Sequence, residues 1–395
     1  MPTTAAIICE YNPFHRGHLR QLTWLRETLG DDTAVVCAMS GNYVQRGAPA
    51  LFDKYTRAAA AIDCGADVVL ELPPCVALRS AEGYAAGAVD ILDRLGGVDV
   101  LCFGSETGDS AALERTADLL LSDDFSKALR AQLDTGVSFA AARAAAVAAL
   151  GGDRALLDRP NDILAVEYCK ALRRSGSAMR PLAIRRGGDY HAVDADRENP
   201  SATAVRALFT AGDDGWRALV PPAAAARFAA AVPHDVSTGE RAMLAILRTL
   251  PDAAFAALPF GGEGLWKKLM DACRAESSLE AILTAAKSKR YARTRLQRMV
   301  LCACLGLDKT ALETPPDWVR LLGLSSRGRE VLRNRNDEFC LISGGNGPAG
   351  ALSRQEQVGD DLYMLFAADY QTTKSWARHS KSIYFKEKIE KALAK

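Results

Sequence analysis

The sequence predicts an α/β protein with a doubly wound parallel sheet in its N-terminal part and a mainly helical C-terminal part. Three observations predict it. In the first two hundred residues, short β-branched apolar runs alternate with longer amphipathic stretches, the pattern of a parallel sheet wrapped by helices. Glycine and polar residues crowd the positions just after those runs, where open α/β sheets collect ligands. Beyond about residue 235 the strand signal fades and helical periodicity takes over.

The candidate strands are 5–9, 34–39, 67–72, 98–103 and 182–185. Each is too short and too continuously apolar for a surface helix. Between them, 19–29, 54–64 and 81–95 repeat apolar residues at helical spacing and are long enough to cross back over a sheet. The alanine-rich stretches 139–150 and 223–231 are strong helix formers. Further helices are predicted over 239–250, 265–274, 279–286, 291–305 and 328–335, with no internal repeat. A chain of 395 residues exceeds one ordinary core, so two domains are expected, 1–230 and 231–395, dividing near Val232, Pro233 and His234.

Composition narrows the function classes. A hydrophobic fraction of 49% and a charged fraction of 25% exclude a disordered or fibrous chain. The net charge is +1, so any nucleic-acid surface must be a local patch. Ten cysteines are scattered without a CxxC pair, and Cys302 and Cys304 have no nearby histidine to complete a zinc site. They read as reduced core thiols, and no metal site is expected. No apolar run approaches the roughly 18 residues that span a bilayer, and the N-terminus lacks the basic start and long apolar core of a signal peptide. A cytoplasmic protein with no membrane partner is expected.

The chemistry concentrates at the end of the first strand. AAIICEYNPFHRGHL carries His15 and His18 around Gly17, just before a helical run. Glycine admits a close ligand, and the starting helix aims unpaired N–H groups and its positive dipole end at an anion. Two imidazoles so spaced can donate hydrogen bonds to an α-phosphate and its bridging oxygen as charge builds there. A metal-binding histidine pair or incidental turn histidines are the blander alternatives. The segment Ser201-Ala202-Thr203-Ala204-Val205-Arg206 opens a second amphipathic helix. Ser201 or Thr203 can be a simple N-cap, or these hydroxyls can hold a leaving pyrophosphate that Arg206 neutralises.

Together the two motifs resemble the HxGH nucleotidyltransferase superfamily, in which a histidine pair and a Ser/Thr-x-x-x-Arg helix start flank ATP. EYNPFHRGHL, SGNYVQRGAPALFDKYTRA, GADVVLELP, FGSE, RPNDIL and SKRYARTRLQR resemble more closely the successive blocks of the bacterial tRNA(Met) cytidine acetate ligase family. The resemblance implies a nucleotidyltransferase-like N-terminal domain and a tRNA-binding C-terminal domain. It also implies a ligase reaction: acetate and ATP, with Mg2+, give acetyl-adenylate and pyrophosphate, and the acetyl group passes to N4 of the wobble cytidine of elongator tRNA(Met). By motif matching, His15 and His18 are catalytic. ATP would meet Ile7, Ile8, Cys9, Glu10, Tyr11, Asn12, Pro13, Phe14, Arg16, Gly17 and Leu19, together with Gly104, Asn161, Arg186, Ser201, Thr203 and Arg206. Asn161 as a plain helix N-cap and Arg186 as a surface charge are the alternatives. Two departures stand out: Arg16 replaces the usual Asn of HNGH, and GGDYH follows Arg186 in place of a Gly-x-Gly-Tyr-His pattern.

Asn42, Gln45, Arg46, Asp53, Lys54 and Arg57 crowd one strand-to-helix connection. They read either as a solvated loop and helix face or as contacts to substrate. Lys287, Lys289, Arg290, Arg293, Arg295 and Arg298 put six cations and no acid into twelve residues around Tyr291. Helices usually mix signs, so this run is a candidate RNA-binding ridge with a stacking ring, against the alternative of a solvated basic face. The basic stretch 374–395, with Trp376 and Tyr384, could extend it. Two other functions compete: an adenylyltransferase acting on a small phosphate or nucleotide, and a noncatalytic RNA-binding protein.

Overall fold

A computed structural model describes residues 2–186, 200–288, 290–343, 351–369 and 384–385. Its centre is an eight-stranded sheet. β1 (Thr4–Cys9), β2 (Ala34–Ser40), β5 (Val68–Leu72), β6 (Val100–Ser105) and β7 (Arg180–Arg185) lie within two residues of the predicted bounds. β3 (Tyr43–Val44) and β4 (Ala48–Pro49) form a separate small hairpin. Around the sheet lie α1 (Arg16–Leu29), α2 (Lys54–Asp63), α3 (Ala81–Leu95), α4 (Pro160–Ser175), α5 (Ala202–Thr210), α6 (Arg293–Leu305) and α7 (Ala351–Met364).

The strand order β5-β2-β1-β6-β7 is parallel throughout. Successive residues of a strand face opposite sides of a sheet, and both sides are buried here. Ala6, Ile8, Val36 and Ala38 share one core with α3 and α4. Ala5, Ile7, Val35, Cys37 and Met39 share the other with Leu22 and Leu25 of α1, Ala58 and Ile62 of α2, and Val205 of α5. This two-sided burial explains why the strands read as continuous apolar runs. From β1 the chain winds outward through β2 and β5, then returns to lay β6 against the other edge of β1. The strand order therefore reverses between β1 and β6.

The reading that strands end near residue 235 is corrected at β8 (Val319–Leu324). This strand pairs antiparallel with β5, so the sheet includes chain from beyond residue 230. β9 (Leu341–Ser343) and β10 (Tyr384–Phe385) pair with its far edge. A run of six buried residues with charged Arg320 at its second position resembles neither a helix face nor a clean alternation, so periodicity does not mark it as a strand. Otherwise the predicted helices of this half are present, including Glu240–Thr249, Leu265–Ala275 and Leu279–Ala286. All ten cysteines are free thiols, and seven are buried.

Candidate active site

A cleft of about 1050 Å³ opens over the carboxyl ends of β1 and β6, the place where strand order reverses and ligands of open α/β sheets bind. His15 is the N-cap of α1. Its Nδ1 accepts the N–H of Gly17 at 3.1 Å, and its own N–H donates to Nδ1 of His18 at 3.2 Å. Since both Nδ1 atoms accept, the proton of each neutral ring sits on Nε2. The rings stack with centroids 3.7 Å apart. Burial, then Arg186, Arg206 and Arg20, push the His15 pKa down to about 3. Burial, then His15 and Arg186, also lower His18. The pair is a set of neutral N–H donors ringed by arginines. Gly17 makes this possible, because a Cβ there would lie 2.9 Å from Cε1 of His15.

Of the other residues in the first loop, Ile7, Ile8, Cys9, Glu10, Tyr11 and Asn12 line the cleft. Pro13 and Phe14 are buried beneath it, Phe14 edge-on to Tyr11 with centroids 4.8 Å apart. Leu19 packs on the core under α1. Arg16 donates to the Ala218 carbonyl at 2.7 Å, so the residue that departs from HNGH is held on a neighbouring turn.

Gly104, Asn161, Arg186, Ser201, Thr203 and Arg206 line the same cleft. Ser201 caps α5 through the Ala204 N–H at 3.0 Å, so the cap reading holds while the residue also faces the cleft. Arg206 donates to the Asn12 carbonyl at 2.7 Å and to Thr203 Oγ1 at 3.1 Å, tying the α5 start to the histidine loop. Asn161 is not an N-cap. It lies after Pro160 in the first turn of α4, whose cap residue is Arg159. The orphan N–H groups of Asn161 and Asp162 are taken by the carboxylate of Glu106, at 3.1 and 2.7 Å. Asn161 Oδ1 then accepts from Arg186 at 2.9 Å. Gly104 leaves room for that arginine, because a Cβ would meet Arg186 Cδ at 2.7 Å. Sequence reasoning missed Glu106 as the organiser of this corner. The signal was a Pro-started helix with no capping side chain of its own. The GGDYH segment and its His191 lie outside the described residues.

The charged block after β2 is mostly neither solvated nor in the cleft. Arg57 is fully buried and donates to the carbonyls of Phe52, Glu10, Ser40 and Gly41, fastening α2 beneath the ends of β1 and β2. Lys54 is also buried. Its ammonium lies 2.9 Å from Glu71 and 3.1 Å from Asp360, while Arg320 of β8 meets Glu71 at 3.5 Å and Glu356 of α7 at 2.7 Å. Asn42 joins this network through Asp360, and Asp53 caps α2. Of the six residues, Gln45 and Arg46 line the cleft.

The far wall of the cleft includes His234, Thr294 and Gln297, which brings the basic helix to its rim. Gly47, at φ +80°, makes that approach possible, since a Cβ would sit 2.5 Å from the Arg298 nitrogen. The structure divides the basic run. Arg290 pairs with Glu263 at 2.9 Å, which also accepts from Tyr291 Oη at 2.6 Å. Arg293 pairs with Glu280 at 2.9 Å, and Arg295 donates to the Phe260 carbonyl at 3.0 Å. Arg298 is only 8% exposed, with its guanidinium 5.1 Å from the Phe260 ring, and is not on an exposed ridge. Lys287 is exposed. Lys289 lies outside the described residues, as does the stretch 374–395 apart from β10.

A parallel sheet carrying an HxGH helix start at its switch point defines a nucleotidyl-transferring protein. In agreement, the model of the HIGH nucleotidyl transferase family matches residues 2–380. The tRNA(Met) cytidine acetate ligase of Syntrophotalea carbinolica is 40% identical over 353 residues, 82% of this chain and 80% of that protein. The ligase of the same name from a Thermoanaerobacter species is 34% identical over 380 residues, 93% and 94% of the two chains. The crystal structure of apo Thermotoga maritima TmcAL superposes with a TM-score of 0.84 at 30% identity, covering 93% of this chain and 96% of that one. The form of that protein bound with alpha-thio ATP gives 0.81. The chain belongs to the tRNA(Met) cytidine acetate ligase family.

Proposed function

We propose that this protein activates acetate with ATP, releasing pyrophosphate, and transfers the acetyl group from acetyl-adenylate to N4 of the wobble cytidine of elongator tRNA(Met). The observation that carries the reading is the stacked His15 and His18 pair at the start of α1, with Arg186 and Arg206 beside it. In this reading an acetate oxygen attacks the α-phosphorus, and the two Nε2–H groups hold the α-phosphate and bridging oxygens as charge builds on them. Arg206 and the N-terminus of α5 neutralise the departing pyrophosphate. Gly104, Asn161 and Arg186 hold the nucleotide at the ends of β6 and β7.

Mg2+ would arrive on the triphosphate oxygens, as it does in many nucleotide sites. Among the described residues no group of three or more His, Cys, Asp or Glu could hold a metal ion by itself. Residues 1–230 supply the chemistry, and the helices of 231–395, with Lys287 and Arg290 exposed on the surface, receive the tRNA. No helix among the described residues is long and apolar enough to cross a membrane, and we place the activity in the cytoplasm, where ATP and tRNA meet.

The test is to incubate the protein with ATP, magnesium, isotopically labelled acetate and unmodified tRNA(Met). AMP, pyrophosphate and labelled N4-acetylcytidine are expected, and acetyl-CoA without ATP should not substitute. ADP as the nucleotide product, or acetylation from acetyl-CoA alone, would overturn the reading. Acetate-independent transfer of AMP to a small phosphate would favour an adenylyltransferase.

A further inference from the structure

Glu10 is the first residue beyond β1, and it lines the cleft beside His15 and His18. A carboxylate here repels a triphosphate, so nucleotide binding alone does not account for it. One oxygen, Oε1, accepts the Gln45 N–H at 2.8 Å, and the backbone carbonyl accepts from Arg57 at 2.6 Å. The other oxygen has no hydrogen bond among the described residues, which leaves a lone pair directed by the first contact and available to a ligand.

The surroundings suit a proton acceptor. Arg206 from α5, Arg46 from the hairpin turn and Arg57 from α2 face the carboxylate. Tyr84 from α3 and Tyr168 from α4 close the apolar side, and Cys9 precedes it. Burial raises the pKa of Glu10, opposed by the Gln45 hydrogen bond and the three arginines. A carboxylate so placed is a stronger base than one in water.

The tether also points at the acceptor side. Gln45 stands in the β3–β4 turn, whose Gly47 rests on the backbone of Gln297 and Arg298 in α6. The helix at the rim of the cleft therefore braces the turn that orients the carboxylate.

We propose that Glu10 is the general base of the acetyl-transfer half-reaction, its free carboxylate oxygen taking a proton from the exocyclic amine of the acceptor cytidine. The amine lone pair forms the C–N bond to the acetyl carbon. The bond from that carbon to the phosphate oxygen breaks, and its electron pair leaves with AMP. One amine proton passes to Glu10 and from there to solvent. This role rests on the acetyl-adenylate reading above.

The experiment supplies synthetic acetyl-adenylate and unmodified tRNA(Met) to the full-length protein under single-turnover conditions, and separately traps acetyl-adenylate made from ATP and acetate with hydroxylamine. E10Q is expected to lose transfer by about 10²- to 10⁴-fold, with trapping reduced far less. The wild-type transfer rate should rise with pH through a carboxylate ionisation to a plateau that E10Q lacks. E10D, which keeps the acid but withdraws it, should retain intermediate transfer. Wild-type transfer in E10Q, or equal losses of trapping and transfer in both variants, would overturn the proposal. If wild-type protein makes no adenylate from acetate, the acetate reading fails, while transfer from the supplied adenylate still reports on Glu10.

Discussion

The His15 and His18 rings are neutral because two backbone N–H groups occupy their Nδ1 atoms and burial opposes a charge. In the proposed reaction their Nε2–H groups are the donors to the α-phosphate. His15→Ala or His18→Ala should therefore lower acetate-dependent pyrophosphate exchange by roughly a hundredfold or more, with tRNA affinity unchanged. Full exchange in both variants would remove the assignment. His234 is another buried imidazole with a different use. Its Nδ1–H donates to the Val232 carbonyl at 3.0 Å, its ring stacks on Tyr363 at 4.0 Å, and Nε2 is buried without a partner among the described residues. Burial, opposed by hydrogen bonds to Val232 and Leu51, holds its pKa down to about 4, against an ordinary 6.5. A lowered folded-state pKa contributes stability that is complete above the unfolded value and is lost as pH falls through the folded one. That places the loss between pH 6.5 and about 4 and makes it roughly 3 kcal/mol. His234→Phe keeps the stacked ring and should flatten urea-unfolding stability across that window. A variant as acid-sensitive as wild type would place the sensitivity elsewhere.

Helix α2 begins inside the protein, so its charges must find partners there. The Lys54 ammonium is desolvated by burial, but Asp360, Glu71 and Glu356 more than offset this and keep it protonated. Removing one member of such a buried pair leaves the other uncompensated, and Lys54→Met should cost roughly 3–5 kcal/mol of unfolding free energy. Adding Glu71→Leu to Lys54→Met should recover part of that loss. No recovery would mean that the two side chains do not act as a pair. The basic run poses the opposite case, since Arg290 and Arg293 are paired at the surface with Glu263 and Glu280. Replacing Lys287 and Arg290 with Ala should flatten the salt dependence of tRNA binding and change stability by about 0.5 kcal/mol or less. Arg298→Ala should instead lower stability, because its guanidinium covers the Phe260 ring. An unchanged salt slope in the double variant would move the RNA surface elsewhere.

At the scale of the molecule, the sheet does not end where the N-terminal chemistry ends. β8 closes the edge of β5, and Ser325 just beyond it donates to Asp67 at 2.7 Å. α7 meets the loop after β2, where Tyr43 Oη donates to the Gly359 carbonyl and Tyr363 Oη to that of Ala50. A fragment of residues 1–230 would expose the β5 edge and strand Lys54 and Glu71 without Arg320, Glu356 and Asp360. It should show no cooperative unfolding transition by circular dichroism. A fragment that melts cooperatively and binds ATP would show the N-terminal half to be self-sufficient.

What the sequence determined by itself is what short-range pattern encodes. Five strands, the helices between them and the HRGH loop were readable because apolar periodicity, a glycine beside a histidine and a helix start act within a few residues of one another. The gathering of Gly104, Asn161, Arg186 and Arg206 around that loop followed from the motif resemblance and the rule of strand ends. Tertiary structure alone decided where the charges went. Lys54, Arg57 and Arg298 look as exposed in sequence as Arg290, yet they are buried, because a cation enters a core wherever distant chain supplies carboxylates, carbonyls or a ring. Their partners lie up to about three hundred residues away, as Asp360 does from Lys54. The same holds for β8, whose membership in the sheet depends on β5 presenting an open edge. It holds for Glu106 as well, which caps α4 across a separation of 55 residues. Periodicity carries local geometry, whereas the choice of a partner is made only when elements far apart in sequence meet.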